Sequence, residues 1–139
     1  MNRWLLKTEP NEYSFQNLLD DKKTAWDGVK APGALKNMRA MKKGDQALIY
    51  HTGKEKAVIG TARVTSGPYP DPEQENERLL VIDIEAGVPL EIPVTLADIK
   101  QSGLFPDWEL VKQPRLSIMP VSEKQWEIII NWGSKPARD

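Results

Sequence analysis

The chain has one histidine, His51, which closes the apolar run LIYH and precedes Thr52 and Gly53. Imidazole titrates near neutral pH. One histidine at a strand end can act as a general acid or base, supply a hydrogen bond in a pocket, or be satisfied by a nearby backbone group. A hydrolytic triad can be drawn on paper from His51, Ser117 and Glu9, but the local sequence shows neither a nucleophile elbow nor an oxyanion-hole loop. With His 1 and Cys 0, a metal site would have to be built from carboxylates. Asp71 and the cluster Glu73, Glu75 and Glu77 lie in a proline-rich loop and read as solvated acid, so no metal is expected. No GxGxxG or GxxxxGK spacing occurs, so phosphate-loop chemistry is unsupported and no cofactor is expected.

Pocket chemistry has better support. An aromatic stands beside small polar groups in Trp26-Asp27-Gly28, Tyr50-His51-Thr52 and Tyr69-Pro70-Asp71. Lys7-Thr8-Glu9 and Arg115-Leu116-Ser117 add polar ends to strands. An aromatic wall with a few fixed donors and acceptors suits an extruded nucleobase, whose ring stacks and whose Watson–Crick edge is read by hydrogen bonds. Stacking is worth about 1–3 kcal/mol per base, so one pocket can bind without a large basic face. From spacing alone, the simpler reading is that each cluster is a turn with its aromatic packed into the core.

These residues need elements to position them. RWLLK (3–7) reads as a strand that ends at TEP, because Pro10 supplies no ladder donor and holds Glu9 extended. Residues 14–21 read as a helix starting at Ser14, with Phe15, Leu18 and Leu19 on one face. Residues 23–33 read as a loop, 34–41 as a short helix, and 42–45 as a basic helix end followed by a turn. QALIYHT and KAVIGTARV form a hairpin around a turn at 53–56, and residues 66–77 are too rich in proline and charge for an element. Strands follow at 78–86, 91–95 and 115–121. Thr95-Leu96-Ala97-Asp98 and Ser122-Glu123-Lys124-Gln125 are capping-box patterns that open two helices. In the second, Trp126, Ile129 and Ile130 form a core stripe and Gly133 is expected as a left-handed stop. Strands outnumber helices and no βαβ rhythm appears, which gives an α+β, mainly β fold, a small barrel with peripheral helices.

Composition bounds the rest. The 139 residues suit a single domain, 1–139, with 134–139 expected to fray. Lys+Arg 19 against Asp+Glu 20 gives a net charge of -1, which argues against a protein that coats duplex DNA and leaves room for local contacts. The absence of cysteine suits a reducing compartment. MNRWLLKTEP has no apolar core for a signal peptide, and no segment approaches a membrane span. A cytoplasmic protein without membrane contact is expected.

Taken in order, these segments resemble the EVE-domain family of the PUA-like superfamily. The resemblance runs through WLLKTEP (4–10), WDGVK (26–30), NMRAMKKGD (37–45), IYHTG (49–53), VIGTARV (58–64), YPDP (69–72), PVTLADIK (93–100) and RLSIMPVSEKQWEIII (115–130). Thr8 and Thr52 stand where serine is common, and Ala31 and Leu35 where the family often has asparagine and arginine. The resemblance implies a PUA-like twisted β-barrel with peripheral short helices. It also implies binding rather than turnover. The partner would be nucleic acid with a modified base, either DNA with methylated or hydroxymethylated cytosine, or RNA. By position it implies a pocket lined by Lys7, Thr8, Glu9, Trp26, Asp27, Gly28, Val29, Tyr50, His51, Thr52, Tyr69, Asp71, Arg115 and Ser117. Within it, Trp26 would be the stacking wall and His51 the floor. Glu9 or Asp27 would accept from an exocyclic amine. Lys7, Lys30, Arg39 and Arg115 would meet phosphates at the rim, and Tyr69 with Pro70 would form a lip. Two other classes stay in view: a nucleotide-processing enzyme using His51 as acid or base, and a protein-interaction module with a peptide groove. The sequence sets no oligomeric state.

Overall fold

The runs WLL and ALIY lack polar alternation, which is the pattern of strands covered on both faces. The computed structural model, which describes residues 1–134, places the two side by side. β1 (Arg3–Thr8) pairs in parallel with β3 (Gln46–His51), from Arg3 opposite Gln46 to Thr8 opposite His51. Trp4, Leu6, Ala47 and Ile49 join one apolar cluster, and Leu5, Leu48 and Tyr50 a second, as a side-chain period of two requires. The first cluster is closed by α1 (Phe15–Asp21) and α2 (Pro32–Arg39). The second is closed by α3 (Leu96–Ser102), α4 (Glu109–Lys112) and α5 (Glu123–Trp132).

The other strands are β2 (Lys23–Trp26), β4 (Ala57–Val64), β5 (Tyr69–Pro70), β6 (Leu80–Thr95) and β7 (Ile118–Pro120). They form one mixed sheet in the order β2-β6-β4-β3-β1-β7, with β5 added to β6. The register of β4 against β6 shifts between Val58, Gly60 and Ala62, and such bulges bend and twist a strand. Gly60 is required at this bend. A Cβ there would collide with Phe15 Cζ, so only a glycine lets the Phe15 ring rest on the strand.

Several expectations need correction. The supposed loop 23–33 begins with β2, a four-residue strand too short and polar to show itself before β6 pairs with it. The segment 66–77 contains β5. The strands expected at 78–86 and 91–95 are one sixteen-residue strand, because Pro89 falls opposite Gly60 at the register shift, where a missing ladder donor is tolerated. The final strand shrinks to Ile118–Pro120, and α4 was not anticipated. Ser14 and Ser122 form full capping boxes, whereas Thr95 only accepts from the Asp98 amide. Gly133 has φ -79, so it is not a left-handed stop. A Cβ there would crowd Leu90 Cδ1 at 2.8 Å, so the glycine lets the Leu90 side chain pack against the helix end without shifting. Of the tail expected to fray at 134–139, only Ser134 lies within the described residues. Among the described residues, no helix is long and apolar enough to cross a membrane.

Candidate functional site

Because β1 and β3 run parallel, their polar ends, Lys7-Thr8-Glu9 and Tyr50-His51-Thr52, emerge at the same end of the sheet. After Pro10 the chain turns sharply: the Glu9 carbonyl accepts from the amides of Glu12 and Tyr13, each at 2.9 Å. The Thr8 hydroxyl donates to the Tyr13 carbonyl at 2.6 Å and fixes Tyr13 beside the strand end. β2 brings Trp26 against it, with ring centroids 6.2 Å apart and planes at 86°. Ser117 accepts the Lys7 amide through its carbonyl and completes the rim.

Together these segments enclose a cavity of about 710 Å³, within the size range of small-molecule sites. Of the residues expected in the pocket, Lys7, Thr8, Glu9, Trp26, Asp27, Gly28, Val29 and Ser117 line it. Glu12, Tyr13, Thr24, Ala25, Lys30 and Ala31 line it as well. Lys30 was expected only as a rim cation. Tyr13 is the important omission. Its signal was an aromatic immediately before the Ser14 cap, a position that faces the turn rather than the helix core.

Charge in the cavity is mixed. Lys7 donates from Nζ to the Pro114 carbonyl and sits 5.6 Å from the centroid of the Tyr50 ring, and burial lowers its pKa. Glu9 accepts the Asn11 amide on Oε1, and Oε2 lies 3.3 Å from the Thr52 hydroxyl. A carboxylate has about four acceptor positions, so Glu9 keeps capacity for a guest. Gly53, at φ +80, runs close beneath it, where a Cβ would come within 3.1 Å of Glu9 Oε2. Burial raises the Tyr13 pKa, and its hydroxyl donates to Asp21 at 2.8 Å.

The remaining expected residues do not line the cavity. His51 is the main correction. It is 6% exposed, and its Nε2 accepts the Phe15 amide at 2.9 Å. An amide can only donate, so Nε2 carries no proton and Nδ1–H donates to Glu55 Oε1 at 2.8 Å. Nε2 seats α1 on β3 and Nδ1 is held by Glu55 of the β3–β4 turn, so both ring nitrogens are engaged, and His51 is neither a pocket floor nor part of an assembled triad with Ser117 and Glu9. His51→Ala is expected to lower stability by about 1–3 kcal/mol, because it orphans a buried amide. Ligand binding per folded molecule is expected to stay intact. Urea denaturation paired with a binding titration checks this, and lost binding at unchanged stability would contradict it.

Tyr50 is buried in the second cluster, which pushes its pKa up to about 12. Thr52 supports Glu9 from behind and, through its amide, donates to the Thr8 carbonyl at 2.9 Å. Tyr69 donates to Asp83 Oδ1 at 2.6 Å. That bond, burial and the charges of Asp83, Asp71 and Asp27 raise its pKa to about 12, so it is tied down rather than a free lip. Asp71 is buried, accepts the Glu73 amide, and borders a small void of about 10 Å³ behind Gly28 and Val29. Arg115 is exposed in the turn before β7. Among the described residues there is no group of three or more His, Cys, Asp or Glu side chains that could hold a metal.

The EVE domain family matches the chain over residues 2–132. The structure is similar to that of Rpa0253 from Rhodopseudomonas palustris, with a TM-score of 0.90 and 35% identity over 96% of this chain and 93% of that one. It is also similar to human thymocyte nuclear protein 1 crystallised in complex with 5-methylcytosine-containing DNA, with a TM-score of 0.88 and 25% identity over 98% and 99% of the two chains. An ASCH protein from Zymomonas mobilis, 14% identical with a TM-score of 0.62 over 94% of each chain, shares the fold alone. The architecture is therefore the PUA-like one, a mixed seven-stranded sheet with short helices around it. By sequence and by fold together, the chain belongs to the EVE domain family.

Proposed function

We propose that the protein is a non-enzymatic reader that takes a modified cytosine of DNA into the cavity lined by the Tyr13–Trp26 pair. The observation that carries this is the convergence, in one cavity of about 710 Å³, of an aromatic pair with the carboxylates of Glu9 and Asp27 and the ammonium of Lys7. A cytosine ring presents a π-face to the aromatics and an exocyclic amine that a carboxylate accepts. The complex of human thymocyte nuclear protein 1 with 5-methylcytosine-containing DNA supports this class of guest. Binding rather than turnover is supported by the engagement of both His51 nitrogens, which leaves imidazole without a free lone pair for proton transfer.

Asp27 is exposed and has no hydrogen-bond or ion-pair partner among the described residues, so its carboxylate is free to accept from a guest. Glu9 is the second candidate, held in place by Thr52 and the Asn11 amide. The test is a titration at fixed salt of short oligonucleotides carrying cytosine, 5-methylcytosine or 5-hydroxymethylcytosine, with RNA of the same sequence as a further arm. A preference for a modified strand is expected, weakened about 5- to 150-fold by Asp27→Asn or Glu9→Gln, the equivalent of about 1–3 kcal/mol. Equal affinity for every strand, indifferent to both substitutions, would falsify the reading.

A further inference from the structure

Beside the base cavity lies a second groove of about 420 Å³. Its rim carries Lys30, Arg39 and Arg78, and its floor is Pro32, Leu35 and Leu79. Lys30 also lines the larger cavity, so the two spaces meet at this side chain. All three cations are exposed, and none is in an ion pair among the described residues. Among the described residues no carboxylate lines the groove, although Glu75 and Glu77 flank its Asn76 in sequence. In a chain of net charge -1, this is a local concentration of positive charge. Arg39 also lies in the last turn of α2, where a cation favours the helix dipole. That accounts for Arg39 alone. Arg78 arrives from a different segment, just before β6, and Lys30 from the loop after β2, yet both face the same space.

We propose that this groove holds the phosphodiester backbone of the strand next to the inserted base. Lys30, Arg39 and Arg78 meet its phosphates, and the apolar floor lies under the neighbouring sugar. The inference rests on the base-cavity reading, and it adds the direction in which the strand leaves the cavity: over Lys30, along α2. A positively charged groove that tracks the backbone beside an aromatic base site is the general way single strands are held. Leu35 is only 6% exposed, so it forms floor rather than rim, and the charge is left to Lys30, Arg39 and Arg78.

The test uses the full chain with Arg39→Gln and Arg78→Gln combined, and single-stranded oligonucleotides with and without 5-methylcytosine over a salt series. Both side chains are exposed, so the variant is expected to melt with the wild type. The plot of log affinity against log salt should become shallower by about 1.4, at roughly 0.7 per phosphate contact on a single strand. The ratio of modified to unmodified affinity should not move. Lys100→Gln, on α3 and packed over the other cluster, should leave the slope as it is. An unchanged slope in the double variant overturns the groove, and so does a changed ratio, which would put the arginines on the base instead. If the double substitution flattens the slope but the wild type shows no preference for the modified strand, the base reading is lost and the backbone track is kept. A wild type that binds no oligonucleotide overturns both.

Discussion

Asp45→Ala should destabilise the protein by about 3 kcal/mol and loosen the start of the β1–β3 pair, at the opposite end of these strands from the cavity. Asp45 is 2% exposed and accepts three hydrogen bonds: the Asn2 amide on Oδ1 at 3.0 Å, and the Trp4 indole and Lys42 amide on Oδ2, each at 2.9 Å. The indole donor is buried and would have no acceptor left, which alone costs about 1–3 kcal/mol. The two amides are half-buried and lose bonds to a charged acceptor, part of which water restores. The lost bonds sit where the parallel pair begins, with Arg3 opposite Gln46, and that register sets Lys7 and Thr8 against β3 at the far end, just before Glu9. Denaturant unfolding of wild type and variant measures the effect, and a difference under about 1 kcal/mol would show that the clamp is unimportant.

The same residue gives a pH signature. Burial alone would raise the Asp45 pKa. The hydrogen bonds from Trp4, Asn2 and Lys42, with the N-terminal ammonium, outweigh burial and hold it below its ordinary value. A carboxylate with a depressed folded pKa stabilises the fold above its unfolded pKa, about 3.9, and that stabilisation fades as pH falls through the folded value. The gap between wild type and Asp45→Ala should therefore be full at pH 7 and shrink below about pH 4. A gap of constant size down to acid pH would assign the effect to packing rather than to charge.

Asp45 also shows why the sequence was only partly readable. Lys42-Lys43-Gly44-Asp45 announces a turn, and a turn is there, but nothing local says that its carboxylate caps Trp4, forty-one residues away. Patterns carried by neighbours in sequence were legible: the apolar runs of β1 and β3, the caps at Ser14 and Ser122, and the hairpin from Gln46 to Val64. Elements that exist only through a distant partner were not. β2 depends on β6, and the continuity of β6 through Pro89 depends on the bulge at Gly60. The site divides in the same way. Lys7, Glu9 and Trp26 could be picked out as polar or aromatic groups at strand ends, and the structure brings them together. His51 has the same local signature, yet it faces inward to the first amide of α1, a pairing thirty-six residues apart that only the folded chain reveals. Tyr13 was missed for the opposite reason: its neighbours mark a helix start, and the turn closed by the Glu9 carbonyl is what aims it at Trp26.

Trp26→Ala should abolish high-affinity binding and weaken the fold together, and the two losses can be separated. Trp26 is 8% exposed and belongs to the first apolar cluster, so truncation should cost about 3–5 kcal/mol of stability. Tyr13 meets it edge-on at 6.2 Å and is more open to the cavity. Tyr13→Ala therefore tests the wall with a much smaller effect on the core, since its hydroxyl bond to Asp21 is at the surface. If a base is held against this pair, Tyr13→Ala should lose about 5- to 150-fold in affinity for a modified oligonucleotide, the worth of one stacked base. Tyr13→Phe, which keeps the ring and gives up the hydroxyl's hydrogen bonds with Asp21 and Thr24, should bind as the wild type does. The measurement is a titration run far enough below each melting point that all three proteins are folded, with circular dichroism to confirm it. Were Tyr13→Ala to bind normally while Trp26→Ala failed only in proportion to its unfolded fraction, the aromatic pair would be packing and the guest would have to be held by the polar rim instead.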